Sequence, residues 1–403
     1  MPIFQSDSNS MRSLFFITAW LMFALSAFAQ TPGKLPALIS DKRADIDYPA
    51  IDRRIKTMMD YPGMVGLSVA IIEDGEMKFA KGYGETLKGS GNAVTADTVF
   101  RWASLSKSVA ASLIYNFSEV GLLSLEDDVQ SLAPSLKLPP SDRPAKIGDV
   151  LSHRLGITRN AHDRRIEAGW AGAKVRRALA ELSRECPPGT CHAYQNAAYD
   201  ALSEVIETIT EVPYKAVVNE RIFEPLGLTT ASITREGLVR SKNWARPHHD
   251  NGTPYEDVLP TYYRIPAAAG INSSVKDLAR WMSAHFSGHE FLSDDLRRAT
   301  QSPYVNTPRE EQFIKSYFYG LENAQYGLGW RVYEHGGRKI IGHRGGVAGY
   351  RSLVFFDPER KAGIAVMWNT SHTRPVGLQM EFLDQLYGLP RRDWLQLGNR
   401  DKG

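Results

Sequence analysis

Apolar and polar positions along the chain fall into three regimes. Near the front, residues 51–60 carry apolar positions at helical spacing and stop at Pro62. Residues 66–72 read as a buried strand, Asp74-Gly75 is a tight-turn dipeptide, and 76–82 reads as the returning strand of a hairpin. The C-terminal part repeats this character. Segments 329–334, 339–342, 350–356 and 362–368 are short and β-rich, separated by turn residues such as His335-Gly336-Gly337 and Asp357-Pro358. An amphipathic helix over 378–387 closes the pattern. Between these ends lie roughly 200 residues dominated by helical periodicity, including 105–120, 175–182, 199–208 and 274–284. The pattern predicts an α+β chain: an antiparallel sheet built from both chain ends (46–95 and 325–390), flanked by helices, with an inserted all-helical domain (96–324).

One apolar stretch does not belong to this scheme. Arg12 precedes residues 14–28, which end in Ala27-Phe28-Ala29 before Gln30. That is the pattern of a signal peptide cleaved after Ala29, with Met1 or Met11 as the start. A membrane anchor is the alternative, but the run is short for a span and a Pro/Gly segment follows at once. No other stretch is long and apolar enough to span, and no Cys follows the leader to carry a lipid. The mature chain, residues 30–403, is therefore expected in the periplasm or outside the cell. Composition adds an exclusion. With 48 basic and 45 acidic residues the formal charge is +3, and the pairs Arg164-Arg165, Arg176-Arg177 and Arg391-Arg392 are scattered, which argues against nucleic acid as a partner. Cys186 and Cys191, the two cysteines, suit a local disulfide contributing about 2 kcal/mol at best. A metal pair with His192 is the weaker alternative, since it offers only two soft ligands. No metal or cofactor is expected.

Candidate chemistry begins at Ser104-Leu105-Ser106-Lys107. A serine hydroxyl needs a base within reach, and positions three apart on a helix share a face. Val109, Ala110, Leu113, Ile114, Phe117 and Val120 supply the apolar stripe of a helix that Ser104 would begin, at the positive end of its dipole. The tetrad is weak alone, because the chain holds a second copy, Ser273-Ser274-Val275-Lys276. There Ser274 reads as a helix cap with Asp277 as its acidic capping partner. What separates the copies is company downstream of the first. Tyr194-Gln195-Asn196 offers a phenol that can relay a proton and an amide that can hold a lysine. Gly342-His343-Arg344-Gly345-Gly346 offers glycines that allow close approach and a backbone amide suited to an oxyanion. His153, the other histidines and the aromatics near Tyr262-Tyr263 lie in none of these motifs and read as core or loop residues.

In the order Ser-x-x-Lys, Tyr-x-Asn, His-x-Gly, the chain resembles the serine β-lactamase and penicillin-binding protein superfamily. The likeness is to the branch with class C β-lactamases, D-Ala-D-Ala carboxypeptidases, D-aminopeptidases and related esterases. It extends to the Val150-Leu151-Ser152-His153-Arg154-Leu155-Gly156-Ile157, Phe223-Glu224-Pro225-Leu226-Gly227-Leu228, Ala269-Gly270, Tyr326-Gly327-Leu328-Gly329-Trp330 and Gly349-Tyr350 segments. The resemblance implies that Ser104 attacks an amide or ester carbonyl, that Lys107 and Tyr194 share the proton, and that Asn196 orients Lys107 and the acyl group. It also implies an oxyanion hole from the backbone amides of Ser104 and Gly346, with His343, Arg344 and Gly345 lining the catalytic and substrate-binding side. Either Lys107 or Tyr194 serves as the base. His343 and Arg344 stand where class C enzymes carry Lys-Thr; histidine there resembles some carboxypeptidases, D-aminopeptidases and esterases, which counts against efficient β-lactam turnover. The expected protein is a monomer acting on D-amino-acid peptides or β-lactams, with a carboxylesterase and a slow-deacylating penicillin sensor as alternatives. Arg344 or Arg351 is the candidate to take a substrate carboxylate bidentately, with an ordinary surface charge as the alternative for each. No Gly-x-Ser-x-Gly elbow or His-Glu-x-x-His helix exists to support an α/β-hydrolase or a metallohydrolase.

Overall fold

Residues 66–72 are apolar apart from Ser68 because this strand is covered on both faces. In the computed structural model, which describes residues 45–318 and 320–398, strand β1 (Gly66–Glu73) is buried throughout. Its side chains alternate between two cores, Ala70 and Ile72 in one and Leu67, Val69 and Ile71 in the other. The leader lies outside the described residues.

In chain order the remaining strands are β2 (Glu76–Gly84), β3 (Phe100–Arg101), β4 (Asn272–Ser273), β5 (Val305–Asn306), β6 (Glu322–Tyr326), β7 (Arg331–His335), β8 (Arg338–Val347), β9 (Tyr350–Asp357) and β10 (Ala362–Trp368). Eight of them form one sheet in the order β2-β1-β10-β9-β8-β7-β6-β5, and β3 and β4 pair separately. Every pairing is antiparallel. The two chain ends meet where β1 pairs with β10, Val69 opposite Val366. Both hairpin turns read from the sequence have consecutive residues at positive φ, Asp74 and Gly75 before β2 and Gly336 and Gly337 before β8, as type I′ turns require.

The helices that position the site are α1 (Tyr48–Met59), α2 (Ser106–Glu119), α3 (Asp163–Glu167), α4 (Ala201–Thr210), α5 (Val275–Ser287), α6 (Pro308–Tyr317) and α7 (Leu378–Leu386). Apolar residues of α2, α4 and α5 share one core with the front of the sheet, and those of α1, α6 and α7 share the other with its back. The result is a β-lactamase/transpeptidase-like arrangement, a sheet between helical layers with the larger helical part on one side.

Three expectations change. The inserted part 96–324 is not all-helical: it holds the β3–β4 pair and supplies β5 and most of β6 to the main sheet, short strands whose sequence carries no period-2 signal. Ser104 does not open the α-helix; it lies in a 3-10 turn, Ala103–Leu105, and α2 begins at Ser106. At the second tetrad, Ser274 caps α5 by accepting the Asp277 N–H at 3.3 Å. Asp277 does not return the bond: its carboxylate takes the N–H and hydroxyl of Thr230, and the Ser274 N–H goes to the Thr230 hydroxyl. Thr230 interposes itself and replaces the reciprocal half of the capping box.

Candidate active site

The turn that presents Ser104 is fixed from both sides. Trp102 donates its backbone N–H to Ile271 O at 2.8 Å, and its carbonyl accepts the Ser352 hydroxyl of β9 at 2.6 Å. Ala103 then adopts φ +50°, a left-handed conformation that costs an L-residue about 1–2 kcal/mol. This reversal turns the chain from β3 into the helix and leaves Ser104 partly exposed, with no capping bond from its side chain at either helical start.

Lys107, fully buried one turn on, lies 3.4 Å from Ser104 Oγ. Its Nζ also donates to Asn196 Oδ1 at 2.8 Å and to Ala268 O at 3.0 Å. With two of three Nζ directions fixed by these acceptors, the third faces the serine. Tyr194 packs its ring 4.8 Å from Lys107 Nζ, and its buried hydroxyl has no hydrogen-bond partner among the described residues. An unpaired buried phenol is costly unless something binds there. The second tetrad assembles nothing comparable. Ser273 Oγ accepts the Trp102 indole N–H, whereas Lys276 reaches outward to Asp97.

Strand alternation decides the third motif. On β8, His343 and Gly345 face the helical domain, whereas Arg344 and Gly346 face the back. A Cβ on Gly345 would lie 2.2 Å from Trp102 O and 3.2 Å from Ala103 Cβ, so only glycine lets β8 lie against the nucleophile turn. β7 begins at Arg331, opposite Gly342; among the described residues, 343–347 therefore pair with β9 alone and leave one strand edge open beside Ser104. Arg344 departs from its expected role. Its guanidinium is on the far face, bonded to Glu310 Oε1 at 2.7 Å and Gln379 Oε1 at 3.1 Å. Arg351 is on that far face as well, capping Val347 O and Tyr350 O. His343 is buried with both ring nitrogens engaged, Nε2 with the Tyr326 hydroxyl at 3.0 Å and Nδ1 with Arg344 O at 2.9 Å. Burial, reinforced by the charges of Arg331 and Lys107, holds its pKa well below the usual histidine range.

A family model described as Beta-lactamase matches residues 51–388. The chain belongs to the Beta-lactamase family. It is thus a member of a family of serine hydrolases. This Beta-lactamase family chain is 27% identical over 379 residues to an unguisins hydrolase of Aspergillus violaceofuscus, covering 82% of its own length and 64% of the relative's. It is 25% identical to a D-alanyl-D-alanine-carboxypeptidase/endopeptidase of Escherichia coli, covering 88% and 91% of the two chains. Among solved structures it superposes on the octameric penicillin-binding protein homologue from Pyrococcus abyssi with a TM-score of 0.75 and 26% identity, covering 85% of this chain and 78% of that one.

Other residues in the site carried no sequence motif. Asp163, at the start of α3, accepts the Asn196 amide N–H at 2.8 Å and so fixes which end of that amide faces Lys107. Burial pushes the Asp163 carboxyl up to about 6, against the opposing effects of the Asn196 bond and the Lys107 charge. The activity of the protein is therefore expected to rise through an ionisation near pH 6 that is absent in Asp163→Asn, measured as kcat/KM against pH. The stability effect has the opposite sign. A carboxyl with a raised folded-state pKa stabilises the fold below about pH 4 and loses that contribution as pH rises through about 6, about 2–3 kcal/mol in all. Denaturant titrations at pH 4 and pH 8 should show Asp163→Asn gaining on the parent protein at the higher pH. Cys186 and Cys191 are disulfide-bonded, which removes them as metal ligands, and the closed loop leads directly into His192 and Tyr194.

A cleft of about 360 Å³ opens beside Tyr194, lined among others by Arg159, Arg309, Arg331 and His192. Burial and the Arg331 charge lower the His192 pKa to about 3, so the positive charge comes from the arginines. Glu310, held down to about 2 by Arg331 and Arg344 despite its burial, partly balances them.

Proposed function

We propose that this protein is an exported serine hydrolase that forms an acyl-enzyme on Ser104 and cleaves amide bonds of D-amino-acid peptides or β-lactams. The observation that carries the reading is a buried lysine 3.4 Å from Ser104 Oγ whose other two hydrogen bonds are already committed, with an unpartnered buried phenol packed against that lysine and an open strand edge beside the serine turn. Ser104 Oγ attacks the carbonyl carbon while its proton passes to Lys107 or Tyr194. The N–H groups of Ser104 and Gly346 receive the oxyanion, the leaving amine departs with the transferred proton, and water then releases the acyl group. Arg344 in this reading braces the back of β8. Recognition of an anionic substrate falls instead to the arginines beside Tyr194, which supports a substrate bearing a free carboxylate. The leader sequence and the disulfide support a periplasmic or secreted location.

The test is a parallel assay of residues 30–403 against a D-Ala-D-Ala peptide, a chromogenic cephalosporin and a short nitrophenyl ester. Turnover of the peptide or the cephalosporin is the expected result. Turnover of the ester alone would replace the proposal with a carboxylesterase, and stable labelling by penicillin without turnover would replace it with a sensor.

A further inference from the structure

His153 has no motif of its own, yet it holds the two halves of the site together. It is buried, at φ +57°, just beyond a short helix, Ile147–Leu151. Its carbonyl accepts the Ala193 N–H at 2.9 Å and its Nδ1 accepts the Gln195 N–H at 3.2 Å. The residues on either side of Tyr194 are thus fixed by one histidine, whose ring packs 4.2 Å from the Tyr194 ring. From the other side of that ring, Nε2 lies 3.2 Å from the Tyr326 hydroxyl, which lies 3.0 Å from His343 Nε2.

The direction of every bond in this chain follows from its ends. A backbone N–H can only donate, so His153 Nδ1 carries no proton and Nε2–H donates to Tyr326. The Arg344 carbonyl can only accept, so His343 Nδ1 carries its proton and Nε2 accepts from Tyr326. Both imidazoles are then neutral, in opposite tautomers, which agrees with the lowering of each by burial. With both ends unable to exchange roles, the chain cannot relay a proton by reversing. What it can transmit is position.

We propose that His153 is a positioning residue for the hydrolytic reaction: it fixes Tyr194 by hydrogen bonds on both sides and ties it, through Tyr326, to His343 on β8. The proposal rests on the reading of Ser104 as the nucleophile. That reading is checked first, by requiring that turnover disappear in Ser104→Ala.

Three variants then separate the links. Tyr326→Phe keeps the ring and breaks the chain. His153→Asn keeps an acceptor near the Gln195 N–H but does not reach Tyr326, and His153→Gln reaches Tyr326 but loses that acceptor. Tyr326→Phe and His153→Asn are each expected to lower kcat roughly 10- to 100-fold with KM within about 3-fold, as misplacement of a catalytic group does. Because they break the same link, the double variant should lose no more than either single, and His153→Gln should recover part of the loss. Folded single variants with kcat within about 2-fold of the parent, or losses that multiply in the double, would overturn the proposal. A measurement on the unaltered protein does not depend on the variants folding. Imidazole ¹⁵N spectra should show His153 as the Nε2–H tautomer and His343 as the Nδ1–H tautomer, both unchanged from pH 5 to pH 8. Titration of either ring in that range, or a shared tautomer, overturns the chain even if Ser104 is confirmed as the nucleophile.

Discussion

Ser104→Ala is expected to reduce turnover by on the order of 10,000-fold or more, because the whole covalent route passes through one oxygen. Its stability should stay within about 0.5 kcal/mol of the parent, since Ser104 is partly exposed and caps no helix. Ser273→Ala should behave in the opposite way. Removing Ser273 Oγ leaves the buried Trp102 indole N–H without its acceptor at 2.7 Å, which costs about 1–3 kcal/mol, while kcat/KM should stay within about 10-fold. Steady-state kinetics and thermal unfolding on the same two preparations check the crossing. A catalytic loss in Ser273→Ala as large as that in Ser104→Ala would mean that the wrong tetrad has been assigned.

The second large effect is expected at Gly345. An alanine there would place its Cβ 2.2 Å from Trp102 O and 2.3 Å from Ser352 Oγ. Neither the backbone carbonyl nor the hydroxyl bonded to it can give way cheaply, so β8 must move off the nucleophile turn. The expected cost is about 1–3 kcal/mol of stability and about 100-fold in kcat/KM, because the shift separates the strand from Ser104. Gly346→Ala is the control. Its nearest neighbour would be Arg351 Cδ at 3.1 Å, a flexible side chain that can adjust, and alanine keeps the backbone N–H. If both substitutions act alike in kinetics and unfolding, the tight approach of β8 is not what Gly345 provides.

The central strands were readable because burial on both faces writes itself as a largely apolar run, interrupted only by Ser68 in 66–72 and unbroken in 362–368. The two strands at the far end of the sheet, β5 and β6, were not. Val305–Asn306 is two residues long, and Glu322–Tyr326 is half exposed, so neither carries a periodic signal. Ser104, Lys107, Tyr194 and Asn196 were legible through motif order, and the structure brings Ser104, Lys107 and Asn196 into hydrogen-bond reach and Tyr194 against the lysine. Arg344 misled because the motif shows adjacency and hides the alternation that sends consecutive strand residues to opposite faces. Asp163, His153 and Tyr326 gave no local signal of their roles, since the partners that define them lie 33, 42 and 17 residues away in sequence.

The pairing of β1 with β10 also constrains how the protein comes to be folded. The partner of Val69 is Val366, so the sheet's centre cannot close until roughly 300 further residues have been delivered, a long loop closure of the kind that slows folding. A chain emerging from its N-terminal end would carry β1 paired with β2 but with its other edge open for most of that time. That open edge stays available to wrong partners until the last hairpin arrives.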